Sequence, residues 1–211
     1  MTQVYEAIFW DFDGVIVDSL SIKRDAFAQV LAAYDDKLIA QLLRYHDEFG
    51  GVSRFKKFNY FFHDILKKKI PSDLLDEYLD QFSKIVVDNL NHSHINSAPF
   101  SFISQAHRTT PCHIVSASEH FELQNICNKL EISNYFITIN GSPKPKTDII
   151  HNIIEEYSYH RENCVYIGDS LSDLESANNL GVNFLGYGNI KFIELGIPIV
   201  DFCRLFKRLV N

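Results

Sequence analysis

The sequence predicts an α/β protein: a parallel sheet built from βαβ units and interrupted by an α-helical insertion. Short apolar runs recur at residues 7–10, 112–115, 136–139, 164–167 and 183–185, and runs of this length bounded by turn residues suit strands buried on both faces. Amphipathic stretches separate the later runs, as expected when helical crossovers join parallel strands. Residues 17–96 carry helical periodicity and few strand signals. They are expected to form an inserted helical domain, leaving 1–16 and 97–211 as the sheet-bearing core.

The elements follow in order. The run 7–10 ends in Asp11-Phe12-Asp13-Gly14, which sets Asp11 at the carboxyl end of a strand. In the insertion Ile22, Phe27, Val30 and Leu31 share one helical face. Leu74, Leu75, Tyr78, Leu79, Phe82, Ile85 and Val86 share another, and Gly50-Gly51 separates helices. Pro71-Ser72 marks a helix start with Ser72 as its N-cap. Residues 147–156 read as a helix, and 201–209 as a terminal helix with Phe202, Leu205, Phe206 and Leu209 on one face.

Composition narrows the function. With 46% apolar residues and 211 positions the chain can bury a core large enough for one domain and a sizeable insertion. A net charge of −7 sets it against nucleic acid and anionic membranes as partners. Cys112, Cys127, Cys164 and Cys203 form no C-x-x-C pair, which argues for reduced, mostly buried thiols over a zinc site. The first residues lack a basic segment followed by a long apolar one, and no apolar run approaches the roughly 20 residues of a membrane helix. A cytoplasmic protein is expected.

Two acidic clusters stand at strand ends. Asp11 and Asp13 flank one residue, and two carboxylates in one crevice repel unless a cation or proton joins them; magnesium is the natural remedy. The same segment also suits an Asx-type turn, so the pair alone leaves both readings open. Gly168-Asp169-Ser170-Leu171-Ser172-Asp173 follows the run 164–167. Because ligands of open parallel sheets bind beyond the strands' carboxyl ends, Asp169, Asp173 and Asp11 could converge on one hard cation. Asp173 could equally serve the dipole of the following helix. Ser116, placed after the run 112–115 at an expected helix start, suits phosphate oxygens, and Lys144 or Lys146 could add positive charge there.

Taken together, AIFWDFDGVIVDS, HIVSAS, GSPKPKTDII and CVYIGDSLSD resemble, in order, the four motifs of the haloacid dehalogenase superfamily. The resemblance implies a Rossmann-like core with a helical cap inserted after the first motif. It implies Asp11 as a nucleophile that forms an aspartyl phosphate, and Asp13 as the acid and then the base beside it. It further implies magnesium on the carboxylates of Asp11 and Asp169 and the backbone carbonyl of Asp13, with Asp173 acting through water. Ser116, the backbone at Ala117 and one lysine would offset charge on the phosphoryl oxygens. Lys146 fits the G-S-P-x-x-K form of the third motif and is preferred, while Lys144 fits K-P-x-x-D.

Asp13 also separates this chain from the family's dehalogenating members, which lack the second aspartate, and leaves phosphoryl chemistry. Gly51-Val52-Ser53-Arg54 is similar to a cap segment of the branch that contains β-phosphoglucomutase and the phosphoglycolate phosphatases. Arg54 thereby becomes a candidate for substrate binding. Lys23 stands where the mutase pattern has histidine, which favours transfer to water over transfer to a sugar. Lys23 itself is expected to meet an anionic substrate or solvent, and it keeps open the imine-forming lysine of a phosphonate-cleaving relative. The expected activity is hydrolysis of a small phosphorylated metabolite. A phosphosugar mutase and a non-catalytic phospho-ligand binder are the alternatives. His92-Ser93-His94 lacks a third ligand nearby, and Gly186-Tyr187-Gly188 lacks the rest of a dinucleotide fingerprint.

Overall fold

All four residues of the first apolar run, Ala7–Trp10, are buried and form strand β1. The computed structural model describes residues 5–209. After β1 the chain leaves the sheet for helices α1 (Leu20–Val30), α2 (Asp36–Glu48), α3 (Arg54–Tyr60) and α4 (Ser72–Asn89). A π-helical turn at Phe61–Ile65 extends α3. Helix α5 (Ser97–Ala106) returns to β2 (Cys112–Glu119). Then come α6 (His120–Lys129), β3 (Thr138–Ser142), α7 (Lys146–Tyr157) and β4 (Cys164–Gly168). The chain closes with α8 (Leu171–Leu180), β5 (Asn183–Gly186), α9 (Ile190–Glu194) and α10 (Phe202–Leu209).

The strands pair in parallel in the order β3-β2-β1-β4-β5. The chain builds outward from β1 on one side and then crosses to β4 on the other. That reversal opens a crevice at the carboxyl ends of β1 and β4, where open parallel sheets take ligands. Successive residues of β1 feed opposite faces: Ile8 and Trp10 pack into one core, Ala7 and Phe9 into another with the apolar face of α7. Trp10 stacks on Phe202 at 6.2 Å, which anchors α10.

The helical insertion shares the first of these cores. Phe27, Phe58 and Phe82 meet at centroid distances of 4.5 to 6.1 Å and tie α1, α3 and α4 together. The way in and the way out lie side by side: Val17 bridges Ile95, and the Asn96 amide donates to the Val15 carbonyl at 2.8 Å.

Several boundaries differ from expectation. Strand β2 runs on through Ser116 to Glu119: after a register shift beyond Val115, Glu119 pairs again with Ser142 of β3. Ser116 therefore lies within a strand, and the helix begins only at His120. Strand β3 starts at Thr138 and reaches Ser142, later than the run 136–139. Pro71 is the N-cap of α4 and Ser72 its first helical residue, with no side-chain cap. Of the expected face of the terminal helix, the side chains of Phe206 and Leu209 lie outside the described residues.

Phe58 is fully buried. Phe58→Ala is expected to cost about 3–5 kcal/mol of stability, read as a lower urea midpoint.

Candidate active site

Asp11 takes up the sheet's hydrogen bonding where β1 ends, its amide donating to the Ile167 carbonyl of β4 at 2.9 Å. Asp169 follows β4 directly, so the two carboxylates are brought together by adjacent strands. Gly14 permits the approach: its φ is +79°, and a Cβ there would lie 2.1 Å from Asp169 Oδ2. Asp173 is carried in by the first turn of α8, where Ser170 and Asp173 form a reciprocal capping box. Oxygens of Asp11, Asp169 and Asp173 all lie within 4.8 Å of one another.

Lys146, at the first position of α7, enters this cluster. Its Nζ donates to Asp11 Oδ1 at 2.9 Å and to Asp173 Oδ1 at 2.5 Å. Asp173 is wholly buried, and its remaining contacts are the Tyr166 hydroxyl at 2.8 Å and the Ser170 amide and hydroxyl at 3.1 and 2.6 Å. The capping role and the cluster role fall to the same side chain.

One ammonium against three carboxylates leaves an excess of negative charge. Burial, then the neighbouring Asp173, raises the Asp11 pKa against the pull of Lys146. Burial, then Asp11 and Asp173, raises that of Asp169. Burial works against a charged Lys146, but Asp11 and Asp173 more than offset it and raise its pKa. An all-oxygen donor set with uncompensated negative charge fits a hard divalent cation.

Asp13 sits apart from this trio. Its carboxylate takes hydrogen bonds from the Ser19 hydroxyl at 2.5 Å and the Ser118 hydroxyl at 2.6 Å, and pairs with Lys23 at 2.5 Å. Burial alone would raise its pKa; Lys23 and these hydrogen bonds outweigh that and hold it at about 2. Only the Asp13 backbone carbonyl remains for the metal role the resemblance assigns.

The other residues named from sequence divide by position. Ser116 is buried, with its hydroxyl 3.5 Å from Asp13 Oδ2. Ala117, Lys23 and Arg54 line a crevice between the helical insertion and the sheet edge, together with Asp13 and Ser118. Arg54 pairs there with the buried Glu122 of α6. Lys144 is exposed and is not among the residues lining the crevice, whereas Lys146, two positions on, is buried. Sequence reasoning missed Ser118, Ser19, Glu122, Tyr166, His46 and Lys57. Ser118 had a readable signal, since residues i and i+2 of a strand share a face with Ser116.

Sheet, cap and acidic cluster define a class: a Rossmann-like α/β fold carrying a helical cap above its strand ends. Residues 8–187 match the family model described as haloacid dehalogenase-like hydrolase, and the chain belongs to that family. A histidine biosynthesis bifunctional protein of Campylobacter jejuni is 30% identical over 123 residues, 58% of this chain. That match covers 34% of the relative, so the likeness spans about a third of its length. A predicted phosphoglycolate phosphatase from Haemophilus somnus shares the fold at a TM-score of 0.74 and 16% identity, with 98% of each chain covered. β-Phosphoglucomutase from Clostridium difficile shares it at 0.72 and 19%, covering 99% of this chain and 100% of that one.

The raised carboxyls make metal-free stability depend on pH. Asp11 and Asp169 keep their protons to higher pH when folded, to about 7 and about 8, so above their ordinary values near 4 the folded chain binds more protons than the unfolded one. In chelator, the melting temperature should fall as pH rises from about 5 to about 8, and millimolar magnesium should flatten that decline. Thermal melts across the pH series check both.

Proposed function

We propose that the chain is a magnesium-dependent phosphatase that hydrolyses a small phosphate monoester through an aspartyl phosphate on Asp11. The observation that carries this reading is the paired placement of Asp11 and Asp13. One carboxylate is held by Lys146 inside the acidic cluster, and the other faces the crevice between cap and core.

Asp11 supplies an oxygen that bonds to phosphorus as the ester P–O bond breaks, and Asp13 delivers a proton to the departing alcohol oxygen. Asp13 then takes a proton from water as the water oxygen attacks phosphorus. The Asp11 carboxylate is regenerated and inorganic phosphate leaves. Magnesium, held by Asp11, Asp169 and the Asp13 backbone carbonyl with Asp173 beside it, would neutralise charge on the phosphoryl oxygens. Lys146 keeps the attacking carboxylate oriented. Ser116 and Ser118 are placed to donate to phosphoryl oxygens once Asp13 turns to its acid role.

Two features of the crevice set what the chain must do before chemistry. Its volume is about 30 Å³, and it adjoins an opening of about 480 Å³ that shares Leu20, His46 and Gly50 with it and is lined by Gly14 and Asp169. Residues 17–96 would act as a cap that admits substrate and excludes water during the reaction. Asp13 is also held as a carboxylate by Lys23, so an incoming phosphate must draw Lys23 away before Asp13 can carry a proton. The fold relatives named for phosphoglycolate and β-phosphoglucose chemistry support a small phosphorylated ligand.

A screen of phosphorylated metabolites with magnesium should find one that yields inorganic phosphate; an isomeric sugar phosphate with no release would point to a mutase instead. Asp11→Asn should lower phosphate release by at least about 10³-fold with the circular dichroism unchanged. Normal turnover by that folded variant would refute the nucleophile. Asp13→Asn should cost about 10²–10⁴-fold with alkyl phosphates and much less with p-nitrophenyl phosphate, whose leaving group needs no proton.

A further inference from the structure

Three cations of the cap line the crevice: Lys23, Arg54 and Lys57. Two already have carboxylates, Lys23 with Asp13 and Arg54 with Glu122. Lys57 has no carboxylate within ion-pairing distance among the described residues. It lies one helical turn beyond Arg54 on α3 and is only 2% exposed. Its Nζ meets neutral partners, His46 Nδ1 at 2.8 Å and the Gly50 carbonyl at 3.3 Å.

Burying an amine that has no counter-ion disfavours its charged form, and a lysine whose only task is to fill space is better replaced by methionine or leucine. We infer that Lys57 and His46 form a second anion subsite in the cap, and that the substrate is a phosphate ester bearing a second anionic group, carboxylate or phosphate. This inference rests on the phosphatase reading for the first of the two anionic groups. The phosphoryl group is bound between Asp11 and Ser116, and the second group meets Lys57 across the same crevice.

The surroundings agree with that assignment. His46 is 4% exposed, and burial followed by the adjacent Lys57 lowers its pKa to about 3, so the imidazole is neutral and accepts from Lys57 through Nδ1. Burial followed by Lys23 lowers the Lys57 pKa to about 7, and an arriving anion would favour the ammonium form, with the proton taken from solvent, and pair with it. Asp13, Asp47 and Asp169 pull the other way at longer range. Gly50 and Gly51 lie alongside, and a Cβ on Gly51 would fall 2.0 Å from Ser172 Oγ. The segment that carries the subsite is thus seated directly against the core.

The test compares esters matched except for the second charge. One pair is 3-phosphoglycerate and glycerol 3-phosphate; the other is glucose 1,6-bisphosphate and glucose 6-phosphate. In at least one pair the wild-type chain with magnesium should favour the doubly anionic member in kcat/KM by about tenfold or more. The responding pair tells carboxylate from phosphate. Lys57→Met should reduce that ratio by about tenfold, and Lys57→Arg should retain most of it. A wild-type ratio near one, or a ratio that Lys57→Met preserves, would overturn the subsite. Calorimetric titration of the same esters into Asp11→Asn, with and without Lys57→Met, reads the subsite without turnover. Loss of hydrolysis of every ester would then defeat the phosphatase reading, while absence of saturable binding by every doubly anionic ester would defeat the subsite.

Discussion

Asp11, Asp169 and Asp173 repel one another at the carboxyl edge of the sheet, and the fold is arranged around holding them there. Lys146 answers part of the charge by reaching two of the three at once. Each carboxylate is fixed by a different device: Asp11 by the ladder between β1 and β4, Asp169 by the close approach of Gly14, and Asp173 by the capping box of α8. Side chains held this firmly cannot relax apart, so the remaining negative potential is available to a divalent ion. Lys146, donating to Asp11 Oδ1, fixes the direction of the Asp11 carboxylate, and orientation would be a large part of any rate gain if Asp11 is the reacting group.

The insertion closes over this edge through ionic contacts as well as apolar ones. Lys23 reaches Asp13 and Ser118, and Arg54 reaches Glu122, so cap cations rest on core carboxylates across the crevice. On the proposed reading these pairs are exchangeable: an anion that took Lys23 would release Asp13. In the proposed mechanism, closure and the protonation of Asp13 would be coupled through this one ammonium group.

Much of the site was legible in the sequence because it depends on short segments whose strand ends are easy to place. Asp11 and Asp169 follow apolar runs directly, and both lie where expected. The choice between Lys144 and Lys146 was open because both precede the same helix; burial at the first position of α7 separates them. The polar tail of β2 escapes a sequence reading because Ser116 to Glu119 lacks the apolar character used to find strands, although pairing with β3 resumes at Glu119. Lys57 was invisible for a similar reason. Its neighbours Arg54, Lys56 and Asn59 give the helix a polar, solvated look, and only the register with Arg54 on a packed helix reveals that Lys57 points inward. The partners of Lys23 and Arg54 lie far along the chain, and spacing alone carries no signal for such contacts.

The central position of β1 has a consequence for how the chain folds. Ile8 pairs with Cys112 on one side and Val165 on the other, so β1 has no sheet neighbour until β2, which begins at Cys112, is available. The helices of residues 20–89 gain many of their contacts locally and can form during that interval, whereas the sheet must close long loops. An exposed four-residue apolar strand ending in two acidic residues is a poor template for aggregation, since charge at a strand end opposes edge pairing. The acidic residues that close β1 thus also oppose edge pairing while the strand lacks its partners.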